Sequence, residues 1–332
     1  MIYDLVGDAI QIATPEGGFH GEAAFICEHI QQNSLDSVAV LFRTNAQSAL
    51  LEQCLIKEGI PYTVRGGVTF FSRKEIYQMV FFLAAAFCNN LEAVIGFPKN
   101  DKKGLPAFTG IGNLPTIEFG KPSRYLGAAS FSKLELLYRT TQKPDLVKVA
   151  REFEGALDRR FRPGARDLAD MLEQMREQVD TPKDALGWAF HHVYDEQLRL
   201  DTDTNEDAYH NKVASITVLM EISEKYSSIP EFVDYCMEQL FLDSKIKTTA
   251  AVQLMTIHSA KGLEFKHVYV LGLNDRFLPH ARGNLDEERR VFYVAVTRAE
   301  DKLILSSPSG LDFYGKTLTP SGFLAEISEL TL

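Results

Sequence analysis

Ser37 to Phe42 reads SVAVLF, a short run with hardly a polar break. β-Branched and apolar side chains on both alternating sets suit a strand covered on both faces, the situation inside a parallel sheet with helices above and below. The flanking pattern agrees. Asp8 to Ala13 alternates like a strand, and Glu22 to Ile30 places Ala23, Phe25, Ile26 and Ile30 on one helical face. Beyond the run, Asn45 can cap a helix through Glu58, with Gly59 as its stop. Ile60 to Val64 is a short strand, and Ser72-Arg73-Lys74-Glu75 is a capping box opening an apolar helix to about Cys88. Strand and helix in repeated succession predict an α/β fold.

The pattern then breaks. Gly96 to Pro122 carries five glycines and four prolines with little periodicity, and Ser130 to Leu242 reads as successive amphipathic helices, such as Leu168 to Val179 and Lys212 to Tyr226, interrupted at Pro163, Pro182 and Pro230. Strands return at Val252 to Ile257, His267 to Leu273 and Lys302 to Ser306, with a helix from Leu285 to Ala299. The simplest organisation is one parallel sheet built from residues 1–90 and 250–332, interrupted by a mostly α-helical insertion over 91–249. A length of 332 residues suits two domains.

Charge and cysteine content narrow the functional classes. A net charge of −10 argues against a surface that binds polyanions throughout, while leaving room for a local basic groove. Cys27, Cys54, Cys88 and Cys236 form no CxxC pair, so neither a zinc site nor a disulfide framework is expected, and a reducing cytoplasm fits best. The most apolar segment, Met79 to Phe87, is too short to cross a bilayer, and the N-terminus has no signal-like pattern.

Three strings at predicted strand ends carry the chemistry. They are FRTNAQS from Phe42, TIHSAKGLEF from Thr256 and EERRVFYVAVTRA from Glu287. They resemble motifs IV, V and VI of the UvrD/Rep/PcrA-like superfamily 1 DNA helicases. The resemblance extends to GGVTFFSRKEI from Gly66, the Leu278-Pro279-His280 turn and PSGFLAEI from Pro320. It implies that the α/β part is the second RecA-like motor domain, that the helical part is the mobile accessory domain, and that a P-loop RecA-like domain completes the ATP site. That domain would belong to the same polypeptide or a separate subunit, and would hold most of the Mg2+ bound with ATP. The resemblance further implies 3′ to 5′ movement on single-stranded DNA, action at single-strand/duplex junctions, and no ATP hydrolysis by this chain alone.

Residue by residue, the resemblance implies that Arg43 and Arg298 contact the ATP γ-phosphate as arginine fingers, that Phe42 stacks on the base and that Glu264 accepts hydrogen bonds from the ribose. Gly67, Phe70, Arg73, His258 and Ser259 match positions near single-stranded DNA. Taken singly, an arginine after a buried strand is more often a surface ion-pair residue, and Phe42 and Phe70 would be read as core. A second class of function also fits: a stand-alone, non-catalytic DNA-binding or regulatory module derived from a helicase.

Several other signals are expected to be structural. Gly310 to Thr317 satisfies the Walker A spacing, but a P-loop delivers its Lys and Thr into a helix N-terminus, and Pro320 follows three residues on. His191 and Asp195 share a helix face without a third metal ligand nearby. Arg159, Arg160, Arg162 and Arg166 form a basic cluster that could meet duplex phosphates or simply face solvent. Around Ala93 to Gly127 no helix-hairpin-helix-like duplex-binding string is found.

Overall fold

The computed structural model describes residues 9–33, 36–88, 145–160, 162–202, 205–243, 252–313 and 315–330. The Ala93 to Gly127 segment lies outside them. The chain divides into two compact units, Met1–Phe70 with Lys245–Leu332, and Phe71–Ser244.

The first unit is a six-stranded sheet of β1 (Ile10–Ala13), β2 (Val38–Phe42), β3 (Tyr62–Arg65), β4 (Val252–Thr256), β5 (Phe265–Val270) and β6 (Ala299–Ser306), in the order β1-β6-β5-β2-β4-β3. Every pairing is parallel. The SVAVLF run is β2, buried at all five strand positions between β5 and β4. Each strand from before residue 70 pairs only with strands from after residue 245, so the first segment builds none of this ladder by itself.

Helices cover both faces. On one, α10 (Leu285–Val296) and α11 (Gly322–Leu330) bring Phe292, Ala295, Val296, Phe323 and Leu324 onto Ala39, Leu41, Val268, Val270, Leu303 and Leu305. The 3-10 turn Ile257–Ala260 joins them through Ile257 and Ala260. Alternation sends Tyr269 to the opposite face, where its hydroxyl meets His29 of α1 (Gly18–Asn33) at 2.6 Å. Against α1 packs α2 (Asn45–Lys57), opened by a capping box between Thr44 and Gln47. The N-terminus of α10 is capped by Asn284, which accepts from the amides of Asp286 and Glu287, and three acidic residues in the first turn suit the helix dipole.

The second unit contains α3 (Lys74–Phe87), α4 (Leu146–Ala156), α5 (Arg162–Gln178), α6 (Pro182–Ala189), α7 (Asp195–Asp201), α8 (Glu206–Ser223) and α9 (Ile229–Asp243). A single π-helical turn, Phe190–Tyr194, joins α6 to α7. The expected boundary near residue 90 lies later than the division found, because α3 is the hub of this unit. It is buried on nearly every side and packs against α4, α5, α6, α8 and α9. A helix apolar all round needs helices around it, not one sheet face. Trp188 stacks on His192 and Phe82, and Tyr194 donates to Gln78 on α3 at 2.9 Å. No helix among the described residues is long and apolar enough to cross a membrane.

Glu22, in the first turns of α1, is a buried carboxyl accepting from the Gly272 amide just past β5 at 2.9 Å. Burial pushes its pKa from 4.5 up to about 7, against the opposing pull of that amide. The folded state therefore binds the Glu22 proton more tightly than the unfolded chain does. Its stabilising contribution is complete below about pH 4.5 and is lost as the pH rises through about 7. Glu22→Gln keeps an oxygen for Gly272 without the charge. Thermal unfolding of the purified chain from about pH 4.5 to about pH 7 should show a loss of stability, on the order of 3 kcal/mol at most, that the variant lacks. Equal slopes for the two proteins would contradict this account.

Candidate functional site

In a parallel sheet, residues that precede strands gather at one edge and residues that follow strands gather at the other. Phe265 and Ala299, the first residues of β5 and β6, are register partners, so Glu264 and Arg298 stand side by side at the edge where the strands begin. The Phe265 amide donates to the Arg298 carbonyl at 2.9 Å. The Arg298 guanidinium is fixed at all three nitrogens: Nε donates to the Val294 carbonyl at 2.9 Å, Nη1 to the Leu263 carbonyl at 2.8 Å and Nη2 to the Thr297 hydroxyl at 2.9 Å. Each Nη keeps one further N–H, so the fork is immobilised with donors left for an anion. Glu264 is exposed beside it.

At the opposite edge the adjacent strands β2, β4 and β3 end in Arg43, in the Thr256–Ser259 turn and in Arg65-Gly66-Gly67. The Thr256 hydroxyl accepts from the Ser259 amide at 3.3 Å and lies 2.9 Å from the Ser259 hydroxyl. Gly66, at φ +72, packs so closely that a Cβ there would lie 2.8 Å from Ser259 Oγ. Gly67, His258 and Ser259 are thus brought together, with Gly67 and His258 exposed. Buried Glu52 of α2 shapes the same loop, accepting from the Phe70 amide at 2.7 Å and the Ser48 hydroxyl at 3.0 Å.

Arg43 grips Glu288 of α10 side-on, with Nε at 3.2 Å from both carboxylate oxygens and Nη2 at 2.9 Å from Oε1. Glu288 is buried and also accepts from the His280 amide at 2.9 Å. Burial would push its carboxyl up, but the bonds and charge of Arg43 and the His280 amide outweigh that and hold it below the usual carboxylate range. Gln47 completes the seat, its Oε1 accepting from the amides of Arg43 and Thr44 at 3.0 Å each. Glu288 and Gln47 lie within the strings read from sequence, but a first-turn acid and a capping residue are sufficient local explanations for them. Only the tertiary pairing shows what they hold.

Arg43 and Arg298 grip groups six residues apart on α10, Glu288 and Val294, ~9 Å of helix. Three expectations need correction. Phe42 is 1% exposed in the central strand, and Phe70 is wholly buried, so neither offers a ring face to a base. Arg73 is buried in the helical unit and donates to the Ser215 hydroxyl at 3.3 Å.

The decoys resolve locally. Gly310 to Thr317 folds into a tight turn closed by a Leu311–Thr317 bridge, with the Asp312 amide donating to the Lys316 carbonyl at 2.7 Å and Asp312 Oδ1 accepting from the Lys316 amide at 2.9 Å. The next helix begins only at Gly322, so Lys316 and Thr317 open no helix. The Asp195 carboxylate is taken up by the Tyr209 hydroxyl and Arg199. In the basic cluster, Arg166 pairs with Glu154 and Arg162 donates to the Leu157 carbonyl at 3.1 Å.

The RecA-like parallel sheet, interrupted by a helical unit, carries the three strings at the ends of its strands. The UvrD-like helicase C-terminal domain family matches residues 5–94 and 135–310, and the chain belongs to that family. It is similar to the ATP-dependent DNA helicase PcrA of Leuconostoc citreum, at 31% identity over 336 residues, and to that of Bacillus subtilis, at 28% over 344 residues. The PcrA of Staphylococcus epidermidis is 27% identical over 346 residues. Each comparison covers 93% of this chain and 42% of the relative, so the chain spans less than half the length of the curated relatives it matches.

Gly272, at φ +59, is where a side chain would break the seat of Arg43, since a Cβ there would lie 2.1 Å from Gln47 Nε2. Gly272→Ala should destabilise the sheet unit by more than about 1 kcal/mol, seen as a lower urea midpoint. An unchanged midpoint would mean that Gln47 can move aside freely.

Proposed function

We propose that the chain is the C-terminal motor portion of an ATP-dependent DNA helicase or translocase that moves 3′ to 5′ on single-stranded DNA. In this reading the edge where β5 and β6 begin faces ATP. Arg298 is the arginine finger, presenting its spare N–H groups to the γ-phosphate, and Glu264 accepts hydrogen bonds from the ribose hydroxyls. A P-loop RecA-like domain, in the same polypeptide or a separate subunit, supplies the remaining phosphate contacts and holds Mg2+. The edge where β2, β4 and β3 end faces the strand, through Gly67, His258 and Ser259. A single strand, or its junction with duplex, is the DNA partner.

One observation carries the reading: α10 runs from the strand edge, at Glu288, to the nucleotide edge, at Arg298. A helix is stiff along its axis, so a nucleotide that draws on the fork at one end displaces what is anchored at the other. Closure of the ATP cleft then changes the grip on DNA, and hydrolysis releases it.

The test joins this chain to a P-loop RecA-like half and measures ATP turnover with and without oligothymidylate. Arg298→Ala should lower the DNA-stimulated kcat by ~10³-fold or more, the ordinary contribution of an arginine finger. A loss under about tenfold would remove Arg298 from the reaction. The 332-residue chain alone should not turn over ATP. Turnover that Lys316→Ala abolishes would instead make Gly310 to Thr317 a working P-loop and overturn the reading.

A further inference from the structure

Cys27 and Cys54 lie on successive helices, α1 and α2, with no CxxC spacing between them, yet they stand side by side in the fold. We propose that they form a redox-active dithiol: a peroxide oxidises Cys54, Cys27 closes the bond, and the resulting disulfide locks α1 to α2. Neither thiol takes part in the helicase reading above.

Contacts on either side fix the pair. α1 leads from β1 to β2 and α2 from β2 to β3, all parallel strands, so the two helices run in the same direction, packed against each other. One turn beyond the pair, Gln31 Nε2 donates to the Glu58 carbonyl at 3.4 Å. Gln31 lies four residues after Cys27, and Glu58 four after Cys54. Two turns before the pair, Phe19 and Gln47 meet over Gly272, where a Cβ would lie 3.3 Å from Phe19 Cε1 and 2.1 Å from Gln47 Nε2. Between these ties the Cys27 thiol donates to the Cys54 sulfur. Sulfurs already in hydrogen-bond contact need to close by only roughly 2 Å to reach the S–S bond length.

The two thiols are unlike. Cys54 is half-buried, whereas Cys27 is 1% exposed. The hydrogen bond from Cys27 holds the Cys54 thiol below the ordinary cysteine range, with Lys57 adding to it, against burial and the Glu58 charge. The same hydrogen bond, together with burial, pushes the Cys27 thiol up. Cys54 is therefore the accessible thiolate and Cys27 the resolving thiol. With hydrogen peroxide, the Cys54 sulfur attacks one oxygen, the O–O bond breaks, and the other oxygen leaves as hydroxide and takes a proton to become water. The Cys27 sulfur then attacks the sulfenic sulfur of Cys54, losing its proton as the S–O bond breaks, and a second water leaves. Two thiols and one peroxide give one disulfide and two waters, the two electrons passing from sulfur to the peroxide oxygens.

The bond would stiffen the support under one edge of the sheet. α1 carries Glu22, which holds the Gly272 amide past β5, and α2 carries Gln47, which holds the Arg43 amide past β2. Cys88 and Cys236 of the helical unit are buried, and burial pushes both thiols up, so they serve as the internal comparison.

The experiment treats the fully reduced 332-residue chain with a small excess of hydrogen peroxide, alkylates the remaining thiols, and maps the tryptic peptides by mass spectrometry. The chain has no Lys or Arg before Arg43, so Cys27 falls in peptide 1–43 and Cys54 in peptide 44–57. The two peptides should be recovered joined, dithiothreitol should part them, and Cys88 and Cys236 should be alkylated. Oxidation should raise the melting temperature by about 5 °C or more, as a disulfide closing a loop between packed helices does, and Cys54→Ala should abolish the rise. Dimedone should label Cys54 as the sulfenic acid in Cys27→Ala and leave Cys27 unlabelled in Cys54→Ala.

Recovery of the two peptides unjoined from the unaltered chain would overturn the dithiol. Dimedone on Cys27 in preference to Cys54 would overturn the assignment of the attacking thiol, and a bond that leaves the melting temperature unchanged would overturn the locking of α1 to α2.

Discussion

The interleaving of strands from two distant segments is the constraint on which this molecule rests. β1, β2 and β3 hydrogen-bond only to β4, β5 and β6, so apart from the β5–β6 pair no part of the ladder forms until both segments are present. The helical unit can sit between them because β3 and β4 are parallel neighbours, and a parallel crossover has no upper limit on length as long as its ends meet the sheet at opposite edges. The same interleaving gathers the chemistry. Residues from Arg43, Thr256 and Gly66 become neighbours because their strands do, and the strings read along the sequence become two edges of one sheet.

The architecture was largely legible because strong, periodic signals decide it. SVAVLF could hardly be anything but a doubly covered strand, and the capping signals at Asn45 and near Ser72 fell within a residue or two of the helix starts found. The extent of the helical unit was harder to see. α3 continues the strand-helix alternation in sequence, yet its all-round apolar surface, Ile76 through Ala86, commits it to the helices. Periodicity says that a helix is buried; it does not say against what.

At the site, the burial of Phe42 and Phe70 was foreshadowed by their own context. Phe42 ends a continuous apolar strand, and Phe70 lies in an FF pair leading into an apolar helix. The general expectation for such residues is core, and the core is where they are. Arg73 is a different case. A first-turn arginine is ordinarily solvated, and only the packing of α8 beside α3 explains why this one is inside, bonded to Ser215.

The two arginines show how far element order reaches when used fully. Arg43 comes after β2 and Arg298 before β6, and in an all-parallel sheet those positions lie at opposite edges whatever the details of packing. Spanning the sheet between them is α10 with its twelve residues, ~18 Å of helix. Arg43 is bound near its start through Glu288, and Arg298 is bound near its end through Val294. A guanidinium anchored near each end of one rigid element ties the two ends of the strands to the same helix. Force applied at either fork is carried by backbone hydrogen bonds along the helix axis, and the buried Phe292, Ala295 and Val296 make the helix move with the sheet face it covers rather than bend away from it.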